Sequence, residues 1–236
     1  MTSDETTSES DETTFGKGEE KAEVAAALSG VADLYEENLR NYGQASKSVG
    51  WKDEASQLLR FEKLAQVIDR RVAGEGFSVN DLGCGYAAMF RFLDRLPAPR
   101  LSLYRGYDIS EKMLEAARAA VGPDARALFV RGAQVTEEAD YSFVSGTFNV
   151  RLGASDESWT EHILESVRNL AAMSRKGFAF NLLSTYVDWK QENLYYADPF
   201  MFFDFCKREV SPYVSLLHDY PLYEWTLLVR QREYPG

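Results

Sequence analysis

The chain has 236 residues, 45% hydrophobic and 13% aromatic, enough apolar content for one ordinary domain with attachments and too much for a disordered protein. Acids outnumber bases 37 to 26, a net charge of −11, which argues against a nucleic-acid binder because the phosphate backbone demands a basic footprint. Two cysteines, Cys84 and Cys206, make neither a disulfide framework nor a zinc site.

Residues 1–20 carry seven acids against Lys17 alone and almost no apolar side chains, so they read as a disordered acidic tail. No basic region followed by an apolar stretch marks a signal peptide, and no apolar run approaches a membrane span, so the expected setting is the reducing cytoplasm. Residues 21–74 form a helical cap: Val24, Leu28, Val31, Leu34 and Tyr35 recur at helical spacing, as do Leu58, Leu59, Leu64, Val67 and Ile68. Tyr42-Gly43 separates the two helices, and Asp53 is the expected N-cap of the second.

From residue 75 to 236 short apolar runs alternate with helical stretches. Strands are expected at Phe77–Leu82, Leu101–Tyr107, Ala127–Arg131, Tyr141–Phe148, Gly177–Leu183, Tyr213–Leu217 and Glu224–Arg230. Helices are expected at Tyr86–Arg95, Glu111–Ala120 and Trp159–Met173, the last opened by a capping box from Ser158 to Glu161. Asp198-Pro199 starts a further helix. This alternation predicts an α/β, Rossmann-like sheet of about seven strands, mostly parallel and wound on both faces. The last two strands are joined by six residues, too few for a crossover, so they close the sheet as an antiparallel hairpin.

The chemistry concentrates in Asp81-Leu82-Gly83-Cys84-Gly85-Tyr86, which follows a strand and opens a helix. Such a glycine turn lets the backbone approach a ligand, and the helix start offers free N–H groups. The next strand ends at Asp108, where a carboxylate can accept from both hydroxyls of a ribose. Gly83-x-Gly85-x-x-Ala88 also fits a dinucleotide fingerprint. Asp81 favours a cationic amino group over a pyrophosphate, and few residues remain for a separate substrate domain.

With Tyr107-Asp108-Ile109-Ser110 and the closing hairpin, this loop resembles the class I S-adenosylmethionine-dependent methyltransferases of the small-molecule type, from Phe77 to the C-terminus. The resemblance implies S-adenosyl-L-methionine as cofactor, with Gly83, Cys84 and Gly85 against its methionine part and Asp81 near the amino group. It also implies Asp108 on the ribose, Ile109 on the adenine and Ser145 beneath the sulfonium. The acid many members carry after the third strand is replaced by Gly132-Ala133-Gln134, leaving Gln134 or the Ala133 backbone for the adenine amine.

In the cap, Arg60 is a candidate partner for the cofactor's carboxylate and Trp51 a candidate lid. On the acceptor side stand Trp51 again, Asn149, Arg151, Tyr196 and Tyr223, with His218 at the hairpin tip as candidate general base; His162, inside a helix, reads as structural. No Pro-Pro-aromatic motif follows the fourth strand, so nucleic-acid bases are not the expected acceptors. The expected function is methyl transfer to a small molecule. An NAD-dependent oxidoreductase and a non-catalytic S-adenosylmethionine-binding protein are the alternatives. Acceptor, methylated atom and oligomeric state are not legible.

Overall fold

The computed structural model describes residues 9–70 and 76–231, with side chains from Gly18 onward. The boundary expected at 74–75 and the first eight residues of the acidic tail lie outside them. Helix α1 runs from Glu9 to Tyr42, so its start falls inside the stretch that composition assigns to the tail. Once a helix is nucleated, each further turn adds backbone bonds at little cost, and low apolar content does not stop that extension. The chain breaks at Gly43, makes a 3₁₀ turn over Ser46–Val49, and enters α2, Glu54–Leu64. Asp53 caps α2 as expected, its carboxylate accepting from Ser56 N at 2.8 Å.

The remaining elements alternate: β1 Phe77–Leu82, α3 Ala88–Asp94, β2 Leu101–Asp108, α4 Glu111–Val121, β3 Ala127–Arg131, β4 Ala139–Ser145, α5 Asp156–Met173 and β5 Ser174–Ser184. A two-residue β6, Tyr196–Ala197, pairs with the end of β5 and precedes α6, Pro199–Phe205. The hairpin is β7, Tyr213–Leu217, with β8, Glu224–Arg230. Strand order is β3-β2-β1-β4-β5-β8-β7; β1 to β5 are parallel, and β8 is antiparallel to both neighbours. β7 therefore points with the parallel strands, and the hairpin tip lies at their carboxyl ends.

Several boundaries differ from expectation, among them the start of α3 at Ala88 rather than Tyr86, and two of the differences have identifiable reasons. The fourth strand stops at Ser145 rather than Phe148 because Gly146, at φ 70°, turns the backbone out of the sheet. Helix α5 begins three residues before Trp159. Its N-cap is Ser155, which accepts from Ser158 N, so the capping box expected from Ser158 to Glu161 does not form the helix start.

The central strands of the sheet are buried on both faces, as those of a parallel sheet are. Phe178, Phe180 and Leu182 of β5, with Trp225, Leu227 and Val229 of β8, pack with Trp159 and Phe202 on one side. Ala179 and Leu228 face the other side, where Leu64, Phe77, Leu93, Tyr104 and Phe143 pack. Among the described residues, no helix is long and apolar enough to cross a membrane, and no group of three or more His, Cys, Asp or Glu side chains could hold a metal ion.

Candidate active site at the carboxyl edge of the sheet

Strand β1 ends in the glycine turn. Gly83 N and Cys84 N both donate to Tyr107 O, at 2.8 and 2.9 Å, which fastens the turn to the end of β2. Gly83 has φ 75°, and a Cβ there would stand 2.1 Å from Thr147 Oγ1. Only glycine meets both conditions. Thr147 itself donates to Leu82 O at 2.9 Å, tying the turn after β4 to the same place.

Asp108 closes β2. Its Oδ2 accepts from Gly85 N at 3.0 Å and its Oδ1 from Ser110 N at 2.9 Å. Burial raises its pKa, and the bonds from Ser110, Gly85 and Ile109 backbone oppose that rise. Asp81, 2% exposed, is pushed up to about 7 by burial; the Tyr104 hydroxyl, 2.5 Å away, works against this and the charge of Asp108 adds to it. The thiol of Cys84 is raised well above its ordinary value by burial, and next by Asp108 and Asp81, so it is no nucleophile.

A pocket with about 750 Å³ of empty space, the open solvent at its mouth included, runs along this edge. Gly83, Gly85, Asp108 and Ile109 form its floor, with Gly132 and Ala133 after β3 and Ser145 and Gly146 after β4. A smaller cavity lies beyond Gly83 and Ser145, walled by Asp81, Gln57, Tyr86 and Trp51. Tyr86 donates to Gln57 Oε1 at 3.0 Å, and the Ser145 hydroxyl is buried with no hydrogen-bond partner among the described residues.

The larger pocket has a lid that sequence reasoning did not assign. Leu28, Val31 and Tyr35 of α1 and Val49 of the 3₁₀ turn cover it. The Tyr35 hydroxyl is raised to about 12 by burial and by Asp108. His162, expected to be structural, also lines the pocket beside Phe148 and Trp159, with ring centroids 6.1 and 5.2 Å away; burial lowers its pKa, so it is neutral at pH 7. The helical spacing of Leu28, Val31 and Tyr35 was visible; what they cover was not.

The structure uses other expected residues differently. Arg60 forks onto Glu224, Nε to Oε2 at 2.8 Å and Nη2 to Oε1 at 2.6 Å, so it does not stand free for a cofactor carboxylate. Asn149 accepts from Leu183 N at 3.2 Å, and Arg151 pairs with Asp156 at 3.1 Å and donates to the Ala154 carbonyl; both hold loops. Tyr196 accepts from Gln191 N at 3.0 Å. Tyr223, 62% exposed, reaches Asp188, and exposed His218 lies 5.8 Å from the Tyr186 ring. Neither of the two cavities is lined by Arg60, Asn149, Arg151, Tyr196, His218 or Tyr223. Gln134 lies outside them as well, in an acidic groove between α1 and the first half of α5, whereas Ala133 is in the pocket.

No protein-family model matches the chain. Over 161 residues it is 47% identical to a Mycobacterium tuberculosis protein named "Putative methyltransferase Rv1506c", an alignment spanning 67% of this chain and 96% of that one. The magnesium protoporphyrin IX methyltransferase ChlM of Synechocystis, crystallised with S-adenosylhomocysteine, shares the fold with a TM-score of 0.61 at 13% identity, over 89% of this chain and 98% of that one. DhpI, also in complex with S-adenosylhomocysteine, gives 0.55 at 15% identity, over 88% and 96%. The chain belongs to the class I S-adenosylmethionine-dependent methyltransferases, as its strand order and its near relative require.

Proposed function

We propose that this protein transfers a methyl group from S-adenosyl-L-methionine to a small-molecule acceptor. The observation that carries this reading is the Asp108 carboxylate, held by Gly85 N beside a glycine turn too tight for any side chain, at the edge of a pocket that continues past Ser145 to the buried Asp81. These residues fit the cofactor's parts in order. Asp108 takes the ribose hydroxyls, Ile109 and Ala133 the adenine, and Gly83, Cys84 and Gly85 the backbone side of the methionine part. Asp81 takes the amino group, and Ser145, whose hydroxyl has no partner, lies beneath the sulfonium. Gln57 and Tyr86, facing Asp81 across the smaller cavity, replace Arg60 as partners for the carboxylate.

S-adenosylmethionine supplies a methyl carbon already activated by its positive sulfur. The chain's part is alignment, exclusion of water and removal of a proton where the acceptor carries one. Apolar side chains of α1 exclude water from the larger pocket, and Trp51 bounds the smaller one. The hairpin tip is held against α2 by Lys63, 2.9 Å from Asp219.

The test is thermal unfolding with S-adenosylhomocysteine and, separately, with NADH. At 100 times the dissociation constant a ligand of the folded state adds about 2.7 kcal/mol, or a rise of several degrees for a chain this long. The rise is expected with S-adenosylhomocysteine and is expected to vanish in Asp108→Ala. A rise with NADH alone would replace this reading by that of an oxidoreductase.

A further inference from the structure

Around Trp51 the structure closes a ring of contacts. The indole sits against Gly146: at φ 70°, that residue leaves room where a Cβ would stand 2.1 Å from Trp51 Cη2. On the indole face lies the Arg60 guanidinium, 3.8 Å from the ring centroid. Arg60 forks onto Glu224 of β8, and Glu224 Oε2 also accepts from Asn181 Nδ2 of β5 at 2.6 Å. Asn181 Oδ1 then accepts from Gly146 N at 2.8 Å, which returns the chain of contacts to the turn under the indole. Four stretches far apart in sequence, 51–60, 146, 181 and 224, meet here. Arg60 is 7% exposed, Glu224 1% and Asn181 fully buried.

A buried ion pair contributes little net stability, since desolvating two charges offsets most of their attraction. What it does supply is geometry, because a planar guanidinium forked on a carboxylate has one orientation. We infer that the Arg60–Glu224 pair is a positioning device: it holds the Trp51 indole as a fixed wall against the Ser145–Gly146 turn, at the junction of the two cavities where the sulfonium end of the cofactor is aligned. This inference rests on the methyltransferase reading above. Arg60 and Glu224 touch neither cavity's ligand space and act through Trp51 and Asn181.

The experiment labels the protein with 5-fluorotryptophan and assigns the Trp51 fluorine resonance by Trp51→Phe. Trp159, buried in the core and remote in sequence from Glu224, serves as the internal marker of folding. In Glu224→Gln the Trp51 line is expected to move or broaden while the Trp159 line stays, and S-adenosylhomocysteine affinity is expected to fall at least tenfold. Glu224→Gln leaves Arg60 without its fork and can unfold the chain. The double variant Arg60→Met, Glu224→Leu leaves no charge unpaired and should keep its melting temperature while showing the same two changes. Arg60→Lys, which keeps the charge but loses the fork, should restore stability more than affinity. An unmoved Trp51 line in the double variant, with affinity within twofold of the parent, would overturn the inference. If the parent itself fails to bind S-adenosylhomocysteine, the cofactor reading falls, yet the Trp51 line still decides whether the pair positions the indole.

Discussion

Asp81 and Asp108 end adjacent strands as buried carboxylates, and only the second has backbone donors to hold its charge. Asp81 has the Tyr104 hydroxyl, and its pKa rises from 3.8 to about 7. An acid whose folded pKa exceeds its unfolded value binds its proton more tightly when folded. Its contribution to stability is therefore full below pH 4 and lost as pH rises towards 7. A cationic amino group reverses the balance by favouring the carboxylate. S-adenosylhomocysteine affinity is thus expected to rise roughly tenfold per pH unit below about 7 and to level off above it. Calorimetry across that range should show this slope in the parent, with weaker and pH-independent binding in Asp81→Asn. A flat parent profile would remove Asp81 from the amino-group subsite. At Gly83 the expectation is steric. Alanine there takes left-handed strain of about 1–2 kcal/mol and meets Thr147, so Gly83→Ala should lower the melting temperature by several degrees and abolish the S-adenosylhomocysteine shift.

Helix α1 carries two carboxylates, each set on the start of another helix. Glu36 accepts from Ser110 Oγ at 3.0 Å and pairs with Lys112 at 2.5 Å, at the N-cap of α4. Glu23 accepts from Ser155 N at 2.7 Å and from Ser158 Oγ at 2.6 Å, at the N-cap of α5. The free N–H groups and positive dipole end of a helix favour an anion there. Between these two clasps Leu28, Val31 and Tyr35 cover the pocket. Both carboxylates titrate below their ordinary value of 4.5, Glu36 mainly through Lys112 and Glu23 mainly through Ser158. Their hold is therefore present above pH 4.5 and lost as pH falls through the lowered values. The double variant Glu23→Gln, Glu36→Gln should release S-adenosylhomocysteine severalfold faster in stopped flow at pH 7, with little change in melting temperature. An unchanged release rate would mean that α1 does not gate exit. Helical spacing made α1 legible in the sequence, but its partners were not, because a glutamate on a distant helix start leaves no local pattern. The same holds for Arg60. Its helical position was readable, whereas the choice between a cofactor carboxylate and Glu224 depended on where β8 would bring a buried acid.

At the scale of the whole molecule, the sheet order followed from alternating apolar runs and from a hairpin link too short to cross over; the half of the site proposed for the cofactor is read from one contiguous loop and one strand end. The ring of contacts around Trp51 joins a cap loop, α2, β5 and β8, so its geometry exists only after folding. Folding also places the larger pocket between α1 and the sheet edge, which makes a prediction about motion. Exchange of α1 backbone amides requires local opening, and any opening that exposes the pocket also releases its ligand. Ligand at 100 times its dissociation constant opposes such an opening by about 2.7 kcal/mol, roughly a hundredfold in exchange rate. Amides from Ala27 to Glu36 should therefore exchange about a hundredfold more slowly with S-adenosylhomocysteine bound. Those of α6, none of whose residues line the pocket, should change far less. Hydrogen exchange read by mass spectrometry distinguishes the cases. Protection confined to the glycine turn, with α1 unchanged, would show that the cofactor enters and leaves without moving this helix. Water would then have to be excluded from the reacting carbon by Trp51 and the Gly146 turn alone.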